Sequence, residues 1–112
     1  MTEFTVGRVD DIPIGEGRAF AVDGAQVAVF RLRDGSLRAL GAVCAHRGGP
    51  LADGLVDDAV VVCPLHGYTY DLCTGAERTG SDLAVPVYQA LADPDGTLRV
   101  RIGSPAESGA GQ

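Results

Sequence analysis

Four Asp-Gly pairs, Asp23-Gly24, Asp34-Gly35, Asp53-Gly54 and Asp95-Gly96, recur along the chain. Both residue types tolerate the positive φ that tight hairpin turns require, so each pair marks a point where an extended chain can reverse. Between the turns, apolar residues follow a period of two. Leu98, Val100 and Ile102 alternate with Arg99 and Arg101, and Ala28, Phe30 and Leu32 fall on a different face from Val27, Val29 and Arg31. Val60, Val61 and Val62 add a run read as buried. No segment keeps a helical apolar period over three turns. The pattern predicts an all-β chain, a sandwich or barrel of short strands. Pro86, inside the stretch from Leu83 to Leu91, has no amide hydrogen for a ladder and is read as the mark of an edge strand or a bulge.

A length of 112 residues makes one domain the expectation. The strand pattern ends at Ile102, which bounds the domain at residues 1–102; residues 103–112 are small, polar and Gly-rich and read as a flexible tail. Nine basic residues, all Arg, stand against fifteen acidic ones, and the net charge of -6 repels nucleic-acid phosphates and anionic membranes. The longest apolar stretches, Ala39 to Ala45 and Ala59 to Cys63, fall far short of the roughly 20 residues of a membrane-spanning helix. No basic segment of the kind that opens a secretory signal is present, so a cytoplasmic protein is expected, with neither nucleic acid nor membrane as a partner. In a reducing compartment three cysteines point to metal or redox chemistry rather than to disulfides.

Both histidines and all three cysteines lie between Cys44 and Gly75. They form two similar pairs, Cys44-Ala45-His46 and Cys63-Pro64-Leu65-His66, with sixteen residues between His46 and Cys63. Two thiolates and two imidazoles meet the four-ligand demand of zinc or of an iron–sulfur cluster. The familiar zinc finger pairs cysteine with cysteine and histidine with histidine. Here each loop supplies one of each, which suits a two-iron cluster with sulfur ligands on one iron and nitrogen ligands on the other. A zinc-bearing structural or interaction module is the competing reading.

The segments Cys44-Ala45-His46-Arg47-Gly48-Gly49-Pro50-Leu51 and Cys63-Pro64-Leu65-His66-Gly67-Tyr68 resemble the two cluster-binding loops of Rieske proteins. The stretch Tyr70-Asp71-Leu72-Cys73-Thr74-Gly75 is similar to the aromatic-Asp-x-x-Thr-Gly sequence that follows the second loop in Rieske ferredoxins. The resemblance implies a Rieske-type fold of small antiparallel sheets with two cluster-binding loops, and a [2Fe-2S] cluster. It makes Cys44 and Cys63 the ligands of the buried iron and His46 and His66 those of the outer, redox-active iron. Around them, Pro50 and Pro64 are expected to stiffen the loops, while Gly48, Gly49 and Gly67 let the backbone approach sulfur. Arg47 is expected to place positive charge beside His46. Cys73 has no counterpart among the ligands and is read as a small, half-buried residue at a strand end.

Respiratory Rieske proteins join their loops by a disulfide at the positions of Gly49 and Leu65, and place a Ser hydroxyl at the position of Tyr68. This chain lacks both features. Fewer donors to the cluster imply a potential at the lower end of the Rieske range of about -150 to +300 mV. Tyr70 stands where low-potential ferredoxins usually carry Phe, and its hydroxyl is read as one remaining donor to a ligand sulfur. The chain has no third histidine for a mononuclear iron, so the resemblance implies a one-electron carrier that is not catalytic alone. Its redox partners would be a flavin reductase or a large catalytic subunit. The segments Asp11 to Arg18 and Val27 to Leu32 look more like the small subunit of assimilatory NAD(P)H nitrite reductase than like the ferredoxin of a ring-hydroxylating dioxygenase. Leu65 points the same way, because dioxygenase ferredoxins often carry Trp there and this chain has none.

Overall fold

The computed structural model describes residues 2–43, 50–57, 59–64 and 67–102. The tail expected over 103–112 lies outside the described residues. Among the described residues nine strands follow in chain order: β1 (Thr2–Arg8), β2 (Glu16–Val22), β3 (Ala25–Arg31), β4 (Leu37–Gly41), β5 (Leu55–Val56), β6 (Val60–Val62), β7 (Thr69–Asp71), β8 (Val87–Ala92) and β9 (Thr97–Ile102). Two 3-10 turns, Val9–Asp11 and Leu51–Asp53, are the helical segments among the described residues. The strands form a six-stranded sheet in the order β1-β9-β8-β4-β3-β2 and a three-stranded sheet β5-β6-β7, antiparallel throughout. No helix among the described residues is long and apolar enough to cross a membrane.

Three of the Asp-Gly pairs make the expected turns. Asp23 and Gly24 both have positive φ, 50° and 81°, and join β2 to β3 with Val22 opposite Ala25. Gly35 and Gly96, each at φ 90°, serve the β3–β4 and β8–β9 connections. Asp53-Gly54 departs from the expectation. Gly54 sits at φ -74° and ends the second 3-10 turn. A glycine stands there for space, because a Cβ would lie 2.3 Å from the Val62 carbonyl oxygen.

The two faces of β3 are distinct and both are buried, because the large sheet carries a core on each side. Val27 and Val29 pack with Ile12, Val22, Ala39, Leu98 and Val100. Ala28, Phe30 and Leu32 pack with Leu40 of β4 and Ala42 just after it, with Leu51 of the second 3-10 turn, with Val61 and Tyr70 of the small sheet, and with Cys63 and Leu72 at the ends of its strands. This second core holds the small sheet on the large one. On β9, Leu98 and Val100 point inward while Arg99 and Arg101 meet Glu3 and Asp93 outside. The Val60–Val62 run is only partly what it resembles. Val61 is fully buried but its neighbours are half-buried, since alternation turns them to the uncovered face of a small sheet.

Pro86 corrects another expectation. It precedes β8, which is an interior strand between β9 and β4 rather than an edge. The β4–β8 ladder stops at Leu40↔Val87, and Pro86 contributes its carbonyl instead, accepting from the Gly41 N–H at 2.8 Å. Its missing donor costs nothing at the end of a ladder.

Candidate metal centre

Both sequence-predicted loops are closed at their bases, and the bases share one core. The first is pinched by the bridge between Val43 and Pro50 and by the Leu51 N–H donating to the Ala42 carbonyl at 2.9 Å. The second closes where the Cys63 N–H donates to the Tyr68 carbonyl at 2.7 Å and the Gly67 N–H to the Cys63 carbonyl at 3.0 Å. Gly67 takes φ 73°, which accounts for a glycine there. Ala42, Leu51, Cys63 and Tyr70 belong to the same core. The predicted positions thus begin and end against a common apolar floor.

A third segment braces this floor. Asp71 ends β7, and its Oδ1 accepts the N–H groups of Cys73 and Thr74 while its Oδ2 takes Arg78 Nη1 at 2.7 Å. The Thr74 and Cys73 amides, aided by Arg78, hold the Asp71 carboxyl below its ordinary range. The turn closes through Gly75, at φ 77°, whose N–H donates to the Asp71 carbonyl. Its own carbonyl accepts from Val85 N–H at 2.9 Å. These contacts are the physical content of the Asp-x-x-Thr-Gly sequence.

A model of the Rieske [2Fe-2S] domain matches residues 2–89. The chain belongs to that family. Its cofactor is a Rieske-type [2Fe-2S] cluster. The anthranilate 1,2-dioxygenase ferredoxin subunit of Burkholderia cepacia is 33% identical over 110 residues, covering 92% of this chain and all of that one. A ferredoxin component of a naphthalene 1,2-dioxygenase/salicylate 5-hydroxylase system from Ralstonia sp is 33% identical over 67 residues, 60% of this chain and 64% of its own length. Among solved structures, a protein assigned as an NADH-dependent nitrite reductase small subunit from Mycobacterium tuberculosis superposes with a TM-score of 0.84 at 31% identity, covering 92% of this chain and 97% of that one. The ferredoxin of carbazole 1,9a-dioxygenase from Nocardioides aromaticivorans superposes at 0.81 with 30% identity, covering 92% and 100%.

The described part of the Rieske site suits such a cluster. Cys63 is a free thiol, 2% exposed, at the mouth of a loop whose backbone is tied on both sides of it. A soft thiolate is the ligand type that iron–sulfur clusters take. Pro64 and Gly67 are exposed beside it, and Tyr70 is fully buried beneath. Cys44, His46, Arg47, Gly48, Gly49, Leu65 and His66 lie outside the described residues. Cys73 is not half-buried at a strand end. It is exposed, because the Asp71 turn directs the chain outward after β7.

Sequence reasoning missed Glu77. It is the one buried charged residue among those described, 7% exposed. Its Oε2 accepts from Thr69 N–H, Thr79 N–H and Thr79 Oγ1, and its Oε1 from Ser81 N–H and Ser81 Oγ. Burial favours the neutral form, but the donors from Thr79, Thr69 and Ser81 outweigh it and hold the carboxyl at about 2. The available signal was local: an acid followed by hydroxyls two and four residues later, Glu77-Arg78-Thr79-Gly80-Ser81.

Proposed function

We propose that this chain is a one-electron carrier in which Cys44 and Cys63 hold one iron and His46 and His66 the other. When bound, the cluster takes up one electron and passes it on. The observation that carries the reading is Cys63, a buried free thiol whose loop is closed by its own amide and carbonyl. Apolar residues at the loop bases, Val43 at 51% exposure with exposed Pro50 and Pro64, give a redox partner a rim to dock on. The net charge of -6 steers the chain toward a basic face, an attraction that salt weakens.

The system we propose is an NAD(P)H-dependent nitrite reductase, with this chain as its small subunit. Support comes from the likeness to the Mycobacterium tuberculosis structure and from Leu65 in place of Trp. A second reading, the ferredoxin of an aromatic ring-hydroxylating dioxygenase, is favoured by the match along the whole length of the Burkholderia cepacia protein. Stoichiometric capture of a large sirohaem subunit would support the first; turnover with a flavin reductase and an oxygenase would support the second.

The test of the carrier itself is the visible and electron paramagnetic resonance spectrum, oxidised and dithionite-reduced, with iron, sulfide and zinc assays. We expect a red-brown protein, and a Cys63→Ser variant that purifies with its iron and sulfide lost. A colourless wild type holding zinc would overturn the reading in favour of a structural or interaction module. Tyr70 supplies a finer expectation. Its ring is fully buried and Phe would keep that packing, so Tyr70→Phe removes only the hydroxyl. A hydrogen bond to a ligand sulfur is worth on the order of 1 kcal/mol, and its loss should lower the midpoint by some tens of millivolts. An unmoved midpoint would show that the hydroxyl does not serve the cluster.

A further inference from the structure

Glu77 is the feature that the proposed chemistry leaves unused. Burying a carboxylate is unfavourable unless it is hydrogen-bonded, and this one takes five donors, all neutral. No ion pair reaches it among the described residues; the neighbouring Arg78 is held by Asp71. A charge kept in such a place with no cation against it contributes its field to the surroundings.

Its position gives that field a target. Thr69 N–H, donor to Glu77 Oε2 at 3.0 Å, belongs to the residue after Tyr68, whose carbonyl closes the second loop on the Cys63 amide. The Thr69 carbonyl in turn accepts Arg78 N–H at 2.7 Å, and Glu77 pairs with Tyr70 in an isolated bridge. The loop exit is therefore held from the Glu77 side by main chain and side chain together. On the far side, Ser81 binds the same carboxylate, and the Glu77 N–H donates to the Leu83 carbonyl at 2.9 Å, so the following segment is fastened to Glu77 by side chain and main chain.

Resting on the cluster reading above, we propose that Glu77 is a positioning residue for the second cluster loop, and that its buried negative charge disfavours the reduced cluster. A neutral amide cannot replace it. Gln offers one acceptor oxygen, and its NH2 would face N–H or O–H donors that need an acceptor. Reduction would add an electron to a cluster whose second loop is bonded at its exit to a fixed anion, an unfavourable interaction that the water-poor surroundings of a buried group strengthen.

The holoprotein and its Glu77→Gln variant provide the test, through the midpoint potential and the rate of cluster release to a chelator. At a fixed potential near the midpoint, the reduced-to-oxidised ratio of Glu77→Gln should rise at least threefold, an upward move of about 30 mV. Cluster release should accelerate about tenfold. The charge-retaining variants Thr79→Ala and Ser81→Ala should lose stability while keeping the wild-type midpoint. A Glu77→Gln midpoint equal to the wild type would overturn the proposal and leave Glu77 a structural residue. If Glu77→Gln does not load, Glu77→Asp replaces it, with the charge kept and the carboxylate withdrawn by one methylene. Faster release with an unchanged midpoint then supports the proposal, and wild-type release overturns it. Iron and sulfide in the wild type read the underlying cluster assignment separately.

Discussion

Gly75→Ala is expected to destabilise the protein by roughly 3 kcal/mol or more, several times the effect of the same change at Gly24. Both glycines have left-handed backbones, at φ 77° and 81°, and forcing alanine into that region costs about 1 kcal/mol at either. Their surroundings differ. A Cβ at Gly24 meets nothing within 4 Å, whereas one at Gly75 would sit 2.1 Å from the Val85 carbonyl oxygen and 3.0 Å from Val87 Cγ2. No real Cβ approaches an oxygen so closely, so the segment entering β8 must move. Moving it breaks the Val85 N–H to Gly75 carbonyl bond and loosens the Asp71 turn beside Tyr70. Urea unfolding of the two variants against the wild type measures the contrast. Equal losses at Gly75 and Gly24 would mean that the segment gives way freely and does not brace the floor of the site.

The strand character of the chain was legible because hairpin turns and alternating residues are local signals. Asp23-Gly24 requires nothing beyond its own backbone to make a turn, and Leu98 and Val100 alternate with arginines that pair across β1 and β9. What was not legible depends on contacts distant in sequence. Asp53-Gly54 carries the same letters as a hairpin turn, but its glycine answers to the Val62 carbonyl. Pro86 would disrupt a ladder in mid-strand, yet here the ladder has already ended at Val87. Both cases turn on which element lies opposite, and no period of two or 3.6 encodes that.

The same division holds at the candidate metal centre. The Cys and His pairs announce themselves because few other residue types can ligate such a cluster, and their spacing is compact. Of the four, Cys63 falls within the described residues and is buried at a loop mouth. Glu77 carries no such mark. A single glutamate among fifteen acidic residues reads as solvated surface, and its burial emerges only when Thr69, eight positions earlier, is brought against it across a loop and a turn. Cys73 shows the converse. Its residue type favours burial, but the two amides fixed by Asp71 Oδ1 turn the chain outward there.

Acid should expose the contribution of Glu77 directly. Its carboxyl is lowered from 4.5 to about 2 in the folded chain, so the folded state holds the charged form more tightly than the unfolded state does. The sign follows from linkage: the stabilisation is complete above the unfolded value near 4.5 and is lost as pH falls toward 2. Over that window the change is worth on the order of 3 kcal/mol. Asp71, also held low by the Thr74 and Cys73 amides and by Arg78, acts in the same direction. To separate Glu77 from Asp71 and from the acid lability of the cluster itself, unfolding is followed at several pH values in wild type and Glu77→Gln. At pH 7 the wild type should be the more stable of the two. The gap should narrow steadily below pH 4.5, because the carboxyl of the unfolded wild-type chain then takes up a proton that the folded chain does not and that the amide cannot. A gap that stays constant down to pH 3 would show that the five donors stabilise the shape of the side chain and not its charge.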